Sequence, residues 1–596
     1  MDDVDKRGNK RQRTDDGGYI GDDVEEGTGK KSKGDCGDNR KDQPLTDDEV
    51  RDKLTPLWKE YLVKVDPKAG QRGEGSLPYH LYKKTVAAKK DCLVKVVKSS
   101  RGTYQDKLEL RNRNIKKSKQ NGRFDGMTEK QKKEEFGDEV VYPNWTDKKA
   151  NMVKWCEGEI GIMGEGIEGS IGYRNKCELT IKSAPPTTGE GEGGGSGVKV
   201  GFLPQGWNGA TASPNSCWNT PEIVGVIGRS LESLLKAKAY EPKTYQGTWR
   251  MCTVRIGREV EGVKGVQVVL QHASEKGVHG KGVGEGEGRL LKEDIERVRK
   301  EWDGKIWNTN DHERIKEINA LGGGRNLKGR GEEKYEIKSC MTQEFDGVSN
   351  PPPAHPVKKL FGEEDLEYEL GGCVFKVSHG SFFQVNIGAA EVLYKKIVEE
   401  VKEGEKEGQR TVMFDVCCGT GSIGIVAGKM GAADRIVGCD ISEPAIRDAE
   451  VNKELNGLGS RCVFEAGRAE NVMAQQVKRE LELVGKDTEG TKGTRFIAVV
   501  DPAREGCHGD VLKSLRNTLA IKRVVYVSCN PTVSLPRDAK VLCGPKSKRV
   551  YGEPFVVKRA QPVDMFPLTK HTEVVMVFER GGEEEEEKEG SGGESK

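Results

Sequence analysis

The stretch FDVCCGTGSIG, residues 414 to 424, decides how the chain folds. It begins inside an apolar run, TVMFDV, breaks at a Gly-x-Gly turn and continues into SIGIVAGKM, a segment of helical length. Glycines let a backbone bend sharply and come close to a ligand. Asp440 closes the next apolar run, RIVGCD. An acid at that place can accept hydrogen bonds from both ribose hydroxyls of an adenosine. Strand, glycine turn, helix, strand and acid together suit a dinucleotide site or another adenosine-containing cofactor. A purely structural turn is the third reading.

Working outward, the pattern repeats. EPAIRDAEVNKELN has helical length, and RCVFEAG, FIAVVD, VVYVSC and EVVMVFER are apolar runs of strand length. Strands alternating with helices predict βαβ units and a mostly parallel sheet covered on both faces over residues 374–580. Residues 151–373 show shorter β-like runs, among them GSIGYRNKCELTIK, GTWRMCTVRIG and GVQVVLQHA, interrupted by TTGEGEGGGSG and KGVHGKGVGEGEGR. This is the texture of a mixed α+β module with flexible glycine-rich insertions. Residues 46–150 mix helical-looking segments with basic runs such as RNRNIKKSKQNGR. Residues 1–45 and the acidic 581–596 are polar and glycine-rich, and are expected to be disordered.

Composition narrows the function classes. The chain has 596 residues, 34% apolar and 33% charged, with 77 glycines and a net charge of +2. Two or three domains are expected at this length, and a near-balanced charge gives no global basic field for nucleic acid, so any such surface is local. Fifteen cysteines in a chain of this length do not form a disulfide framework. No run of about 20 apolar residues could span a bilayer. Cytoplasm, nucleus or both is the expected location, and the cluster Lys6, Arg7, Lys10, Arg11, Arg13 reads as a nuclear address or a solvated tail.

The turn D-x-C-C-G-T-G resembles the first motif of S-adenosylmethionine-dependent methyltransferases, whose cofactor carries no phosphate. SHGSFFQVN (378–386) precedes it; VVDPAREGCH (499–508), YVSCNP and DMFPLTKHTEVVMVFER (564–580) follow. Together these motifs resemble the RNA 5-methyluridine (uracil-5) methyltransferases, and YRNKCE and YEPKTYQGTWRMCTVR resemble their eukaryotic tRNA branch. The resemblance runs with interruptions over about 173–580. It implies an α/β fold: a Rossmann-like class I S-adenosylmethionine methyltransferase domain preceded by the RNA-binding module.

The chemistry of that family explains the residue types. C5 of uracil is a poor nucleophile until a thiolate adds to C6; a base must then remove the C5 proton so that the thiol can leave. By resemblance, Cys529 of SCNP is the nucleophile and Glu573 of KHTEVV the base. Gln384, Cys417, Gly419, Ser422, Asp440 and Asp501 fall at cofactor-contacting places, Asp501 lying between cofactor and target base. Two departures stand out: Ala503 replaces the second proline of the usual DPPR, and Asp440 replaces the commoner glutamate. No metal is required, and neighbouring Cys417 and Cys418 in an extended chain would point to opposite faces. His508 and His571 read as pocket-lining or structural.

A target base inside a stacked loop must be flipped out to meet both thiol and sulfonium. Tyr173, Arg174, Asn175 and Lys176 combine a ring with polar donors, and by resemblance they grip the T-loop of tRNA; a strand with a solvated edge is the other reading. The expectation is therefore a monomeric tRNA (uracil-5-)-methyltransferase forming 5-methyluridine. The alternatives are the same chemistry on ribosomal or messenger RNA, or a tRNA-binding folding factor.

Overall fold

The structure is a computed structural model. It describes residues 171–580 except 185–196, 204–210, 218, 275–284, 313–314, 317–330, 348–350, 353–354, 487–492, 545, 568 and 570. The expected tails 1–45 and 581–596, the basic stretch 46–150 and most of the two glycine-rich insertions lie outside the described residues.

The first half is built from β1 (Lys176–Ser183), β2 (Val198–Gly201), α1 (Glu222–Leu234), β3 (Trp249–Val260), β4 (Val263–His272), α2 (Glu285–Trp302), β5 (Ile306–Asn310), β6 (Glu332–Glu344) and β7 (Lys358–Gly362). The strands form one sheet in the order β2-β1-β3-β4-β6-β5, with β7 on β6. Only β4 and β6 run parallel; the other pairs are antiparallel. Alternation along β1 puts Cys177, Leu179 and Ile181 inward, against Ile223, Val224, Ile227 and Leu231 of α1. This is the mixed α+β module that the sequence predicts.

A hairpin follows, β8 (Asp365–Leu370) and β9 (Cys373–Ser378). It spans the 373/374 position at which the sequence suggests a module break. Its apolar residues Leu366, Tyr368, Phe375 and Val377 belong to the C-terminal core. It also lies hard against β3, where a Cβ on Gly257 would stand 2.4 Å from the Glu367 carbonyl oxygen, so only glycine fits.

The second half contains α3 (Ile387–Lys402), β10 (Thr411–Val416), α4 (Ser422–Lys429), β11 (Arg435–Asp440), α5 (Glu443–Leu455), β12 (Cys462–Ala466), α6 (Ala469–Lys486), β13 (Arg495–Val500), α7 (Gly509–Asn517), β14 (Ile521–Ser528), α8 (Ser534–Leu542), β15 (Phe555–Val563) and β16 (Glu573–Arg580). The sheet order is β12-β11-β10-β13-β14-β16-β15. The first five strands are parallel, and β16 enters antiparallel beside β14. Every residue of β10 is buried, because helices cover both faces and divide the interior into two apolar cores. The strand order reverses direction between β10 and β13, and at such a switch point ligands bind beyond the carboxyl ends of the strands. The Rossmann-like methyltransferase fold expected from the sequence is the fold observed. Among the described residues, no helix is long and apolar enough to cross a membrane.

Candidate active site

The glycine turn leaves the end of β10. Cys417, Gly419 and Gly421 all take positive φ, at 65°, 54° and 76°. At Gly421 a Cβ would come within 2.8 Å of the Phe464 ring, so the turn needs glycine for space as well as for conformation. The turn is held from both sides by acids. Asp415, fully buried on β10, accepts from the Gly424 amide at 2.8 Å. Asp440, at the end of β11, accepts from the amides of Gly419 at 3.0 Å and Ser442 at 2.9 Å. Ser442 in turn caps α5 through its side chain.

Three strand ends meet beside this turn. Asp501 follows β13, Cys529 follows β14, and Glu573 begins β16. The antiparallel register pairs Ser528 with Val574, so the next step sets Cys529 opposite Glu573 on the same face of the ladder. Cys529 is half-buried, whereas Glu573 is only 6% exposed. Glu573 Oε2 has no hydrogen-bond partner among the described residues, and neither does Asp415 Oδ1.

Burial and mutual repulsion dominate the electrostatics. Burial holds Glu573 well above the usual carboxylate range, and the neighbouring Asp501 adds to it. Burial likewise lifts Asp501 to about 7. Asp415 is raised to about 7, first by burial and then by Asp501 and Asp440. The Cys529 thiol is pushed up to about 12 by burial, then by Glu573 and Asp501. The site therefore crowds acids around a thiol, a place where negative charge is costly and an incoming cation is favoured.

The loop carrying Asp501 is tied down from behind. Buried Asp538 on α8 accepts from the Cys507 amide at 2.7 Å and from the Tyr526 hydroxyl at 2.6 Å. Asn530 Nδ2 donates to the Arg504 carbonyl at 3.4 Å. The Ala503 departure thus sits in a loop whose position is set by contacts on its far side. His508 is exposed and caps α7, accepting from the Asp510 amide at 3.4 Å, so it is a helix cap and not a pocket wall. With Glu470 and Asp510 it makes a surface group of potential ligands, but Asp510 is paired with Lys513 at 2.6 Å.

A family model described as a methyltransferase domain matches residues 407–484. The mouse tRNA (uracil-5-)-methyltransferase homolog A is 30% identical over 411 residues, 68% of this chain and 57% of that protein. The mouse homolog B is 30% identical over 421 residues, 69% of this chain and 72% of that protein. The chain belongs to the tRNA (uracil-5-)-methyltransferase family. It spans little more than half the length of the A homologs, 57% in mouse and 56% in human. Among solved structures, the Pyrococcus abyssi tRNA (uracil-54, C5)-methyltransferase in complex with S-adenosyl-L-homocysteine is 21% identical, with a TM-score of 0.44, covering 69% of this chain and 76% of that one.

Within this family fold, the expected site residues divide into two groups. Gln384, Cys417, Gly419, Ser422, Asp440, Asp501, Cys529 and Glu573 all lie at the carboxyl edge of the C-terminal sheet, on the loops around it or at the start of its antiparallel strand. The expected RNA-gripping run does not behave as one surface. Tyr173 is buried, its hydroxyl donates to the Pro567 carbonyl at 3.2 Å, and burial raises it to about 12. Asn175 is buried too, and its Nδ2 donates to the Gln384 carbonyl at 2.9 Å. Asn175 thus fastens the first module to the loop bearing Gln384, and Tyr173 fastens it to the loop before β16. Arg174 and Lys176 keep partial exposure, with Lys176 paired to Glu178 at 2.8 Å.

Sequence reasoning missed two features of the site. Phe382, two residues before Gln384, is 67% exposed, an aromatic ring left in solvent on the loop that carries Gln384. Its doubled context, SFFQ, is the only sequence signal: Phe383 is buried and Phe382 is not. Tyr394 on α3 is buried with its oxygen 2.7 Å from Ser422 Oγ, and nothing in the run EVLYKKIV marks it.

Proposed function

We propose that the protein methylates C5 of a uracil in RNA, using S-adenosylmethionine, and forms 5-methyluridine in the T-loop of tRNA. The observation that carries this reading is the meeting of one thiol, Cys529, with two protonatable acids, Glu573 and Asp501, beside a glycine turn with a strand-end acid. The residues suit the cofactor. Asp440 offers carboxylate lone pairs at the ribose position, and the crowded acids Asp415, Asp501 and Glu573 favour an incoming cation such as a sulfonium. Asp440, Ser422, Gln384 and Asp501 are the groups that would hold it. When bound, the cofactor supplies an electrophilic methyl group.

The chain's own residues do the rest. Cys529 releases its proton to solvent, and the thiolate sulfur forms a bond to C6, moving the C5–C6 π electrons onto C5 and O4. C5 becomes nucleophilic and gains the methyl group. Glu573, as carboxylate, takes the C5 proton; the C5–H electrons re-form the C5–C6 double bond, and the sulfur leaves. Exposed Phe382 offers a face for a flipped base or its neighbour. The substrate reading follows the names of the relatives, including the uracil-54 of the Pyrococcus enzyme.

The test uses tRNA carrying 5-fluorouridine, whose C5 cannot lose fluorine as a proton is lost. A denaturation-stable protein–RNA adduct is expected with wild type and S-adenosylmethionine, and none with Cys529→Ala. An adduct that persists in Cys529→Ala removes Cys529 from the mechanism.

A further inference from the structure

Tyr394 lies two turns into α3, with its ring in the core among Leu393, Ile397, Ile423 and Val426. A phenylalanine would fill that space equally well, so packing does not explain the hydroxyl. The hydroxyl is only 2.7 Å from Ser422 Oγ, the first residue of the helix that leaves the glycine turn. The Gln384 side chain and the carboxyls of Asp501 and Asp415 also act on this phenol. One buried oxygen is thus bonded to the start of α4 and sits within electrostatic reach of the FFQ loop, the end of β10 and the loop after β13.

The chemistry of a phenol suits a hub. It carries one donor and two acceptor lone pairs, so it can hold the Ser422 hydroxyl as donor or as acceptor. Burial, with its acidic neighbours, keeps it neutral and therefore a donor throughout the physiological range. A hydroxyl fixed on one side cannot rotate freely. Ligand binding then does not have to order it, which is where pre-organised sites gain affinity.

We propose that Tyr394 is a positioning residue of the cofactor site, its phenol locking the Ser422 hydroxyl in the orientation that meets the donor nucleoside. This rests on the cofactor reading given above. The test titrates S-adenosylhomocysteine calorimetrically into the full-length wild type, Tyr394→Phe, Ser422→Ala and the double variant, with melting curves for each. Tyr394→Phe is expected to weaken binding about five- to tenfold, the effect of one well-made buried hydrogen bond. In the Ser422→Ala background the same change is expected to cost under about twofold, because the partner is already gone. At saturating S-adenosylmethionine the turnover of Tyr394→Phe is expected to stay within about twofold of wild type, so that KM carries the loss. Unchanged affinity in Tyr394→Phe, with or without a lower melting temperature, overturns the inference and leaves a packing role. An equal penalty in both backgrounds also overturns it. A wild type that does not bind S-adenosylhomocysteine at all overturns the cofactor assignment itself, and this inference with it.

Discussion

The two seven-stranded sheets put their strands to different uses. The C-terminal sheet runs five strands in one direction and buries both faces, so its carboxyl ends and their loops gather on one edge. Asp440, Asp501 and Cys529 are consecutive products of that geometry, and the reversed strand β16 returns Glu573 to the same edge. The N-terminal sheet is mostly antiparallel, so its strand ends scatter to both edges and converge on no single point. Its described links to the loops of the C-terminal half include Tyr173, Asn175 and the buried Arg255 of β3, which donates to the Ser381 carbonyl. Parallel strands concentrate reactive groups; antiparallel ones supply surface and support.

The largest expected effect tests the catalytic edge. Glu573→Gln keeps the shape but cannot accept a proton. Turnover is expected to fall roughly 10²- to 10⁴-fold, the range for loss of a positioned base, while a Cys529–RNA adduct accumulates. Denaturing gel electrophoresis with labelled RNA reads both. Full turnover in this variant would move the base elsewhere.

The pH dependence comes next. Cys529 is held up to about 12 and Glu573 well above the ordinary range, so both working anions are scarce at neutral pH. The ratio kcat/KM is expected to rise with pH between about 6 and 9, since it reports the free enzyme. Stability runs the other way. Asp415 and Asp501 keep their protons up to about 7 in the fold and release them in the ordinary carboxylate range once unfolded. Their contribution is complete below that ordinary range and is lost as pH rises towards 7. Melting temperatures should therefore fall between about pH 4 and 7 and level off above, while kcat/KM goes on rising; melting temperatures that climb from about pH 4 to 7 would contradict the assignment.

Asp440→Ala should act more locally. It removes the anchor of the Gly419 amide and the proposed ribose acceptor. Cofactor affinity is expected to drop about tenfold or more, with tRNA affinity unchanged in a filter-binding assay.

The smallest effect tests the other sheet. Asn175→Ala deletes a buried hydrogen bond across the module seam, and a loss of about 1–3 kcal/mol in unfolding free energy is expected. If Asn175 gripped RNA instead, tRNA affinity would fall while denaturation midpoints stayed put.

What the sequence revealed follows the same division. Buried parallel strands are written as apolar runs, so their ends, and with them Asp440, Asp501 and Cys529, can be read directly. Polar residues placed by distant contacts cannot. Asn175 and Tyr173 read as surface groups, yet their partners lie 209 and 394 residues further on. Nothing in LPRDAK marks Asp538, which is fully buried and anchors the loop of Asp501 from behind. Nothing marks Tyr394 either, since its ring is core and only its hydroxyl reaches Ser422.

The central claim is that Cys529 makes uracil C5 reactive in tRNA. The most direct measurement is transfer of labelled methyl from S-adenosylmethionine to unmodified tRNA, with nucleoside digestion and mass mapping, for wild type and Cys529→Ala side by side. The account predicts 5-methyluridine at a single T-loop uridine with wild type, and a loss of at least about a thousandfold in the variant. Wild-type protein that makes no 5-methyluridine on tRNA, ribosomal RNA or messenger RNA, or a Cys529→Ala variant that still makes it, would contradict it.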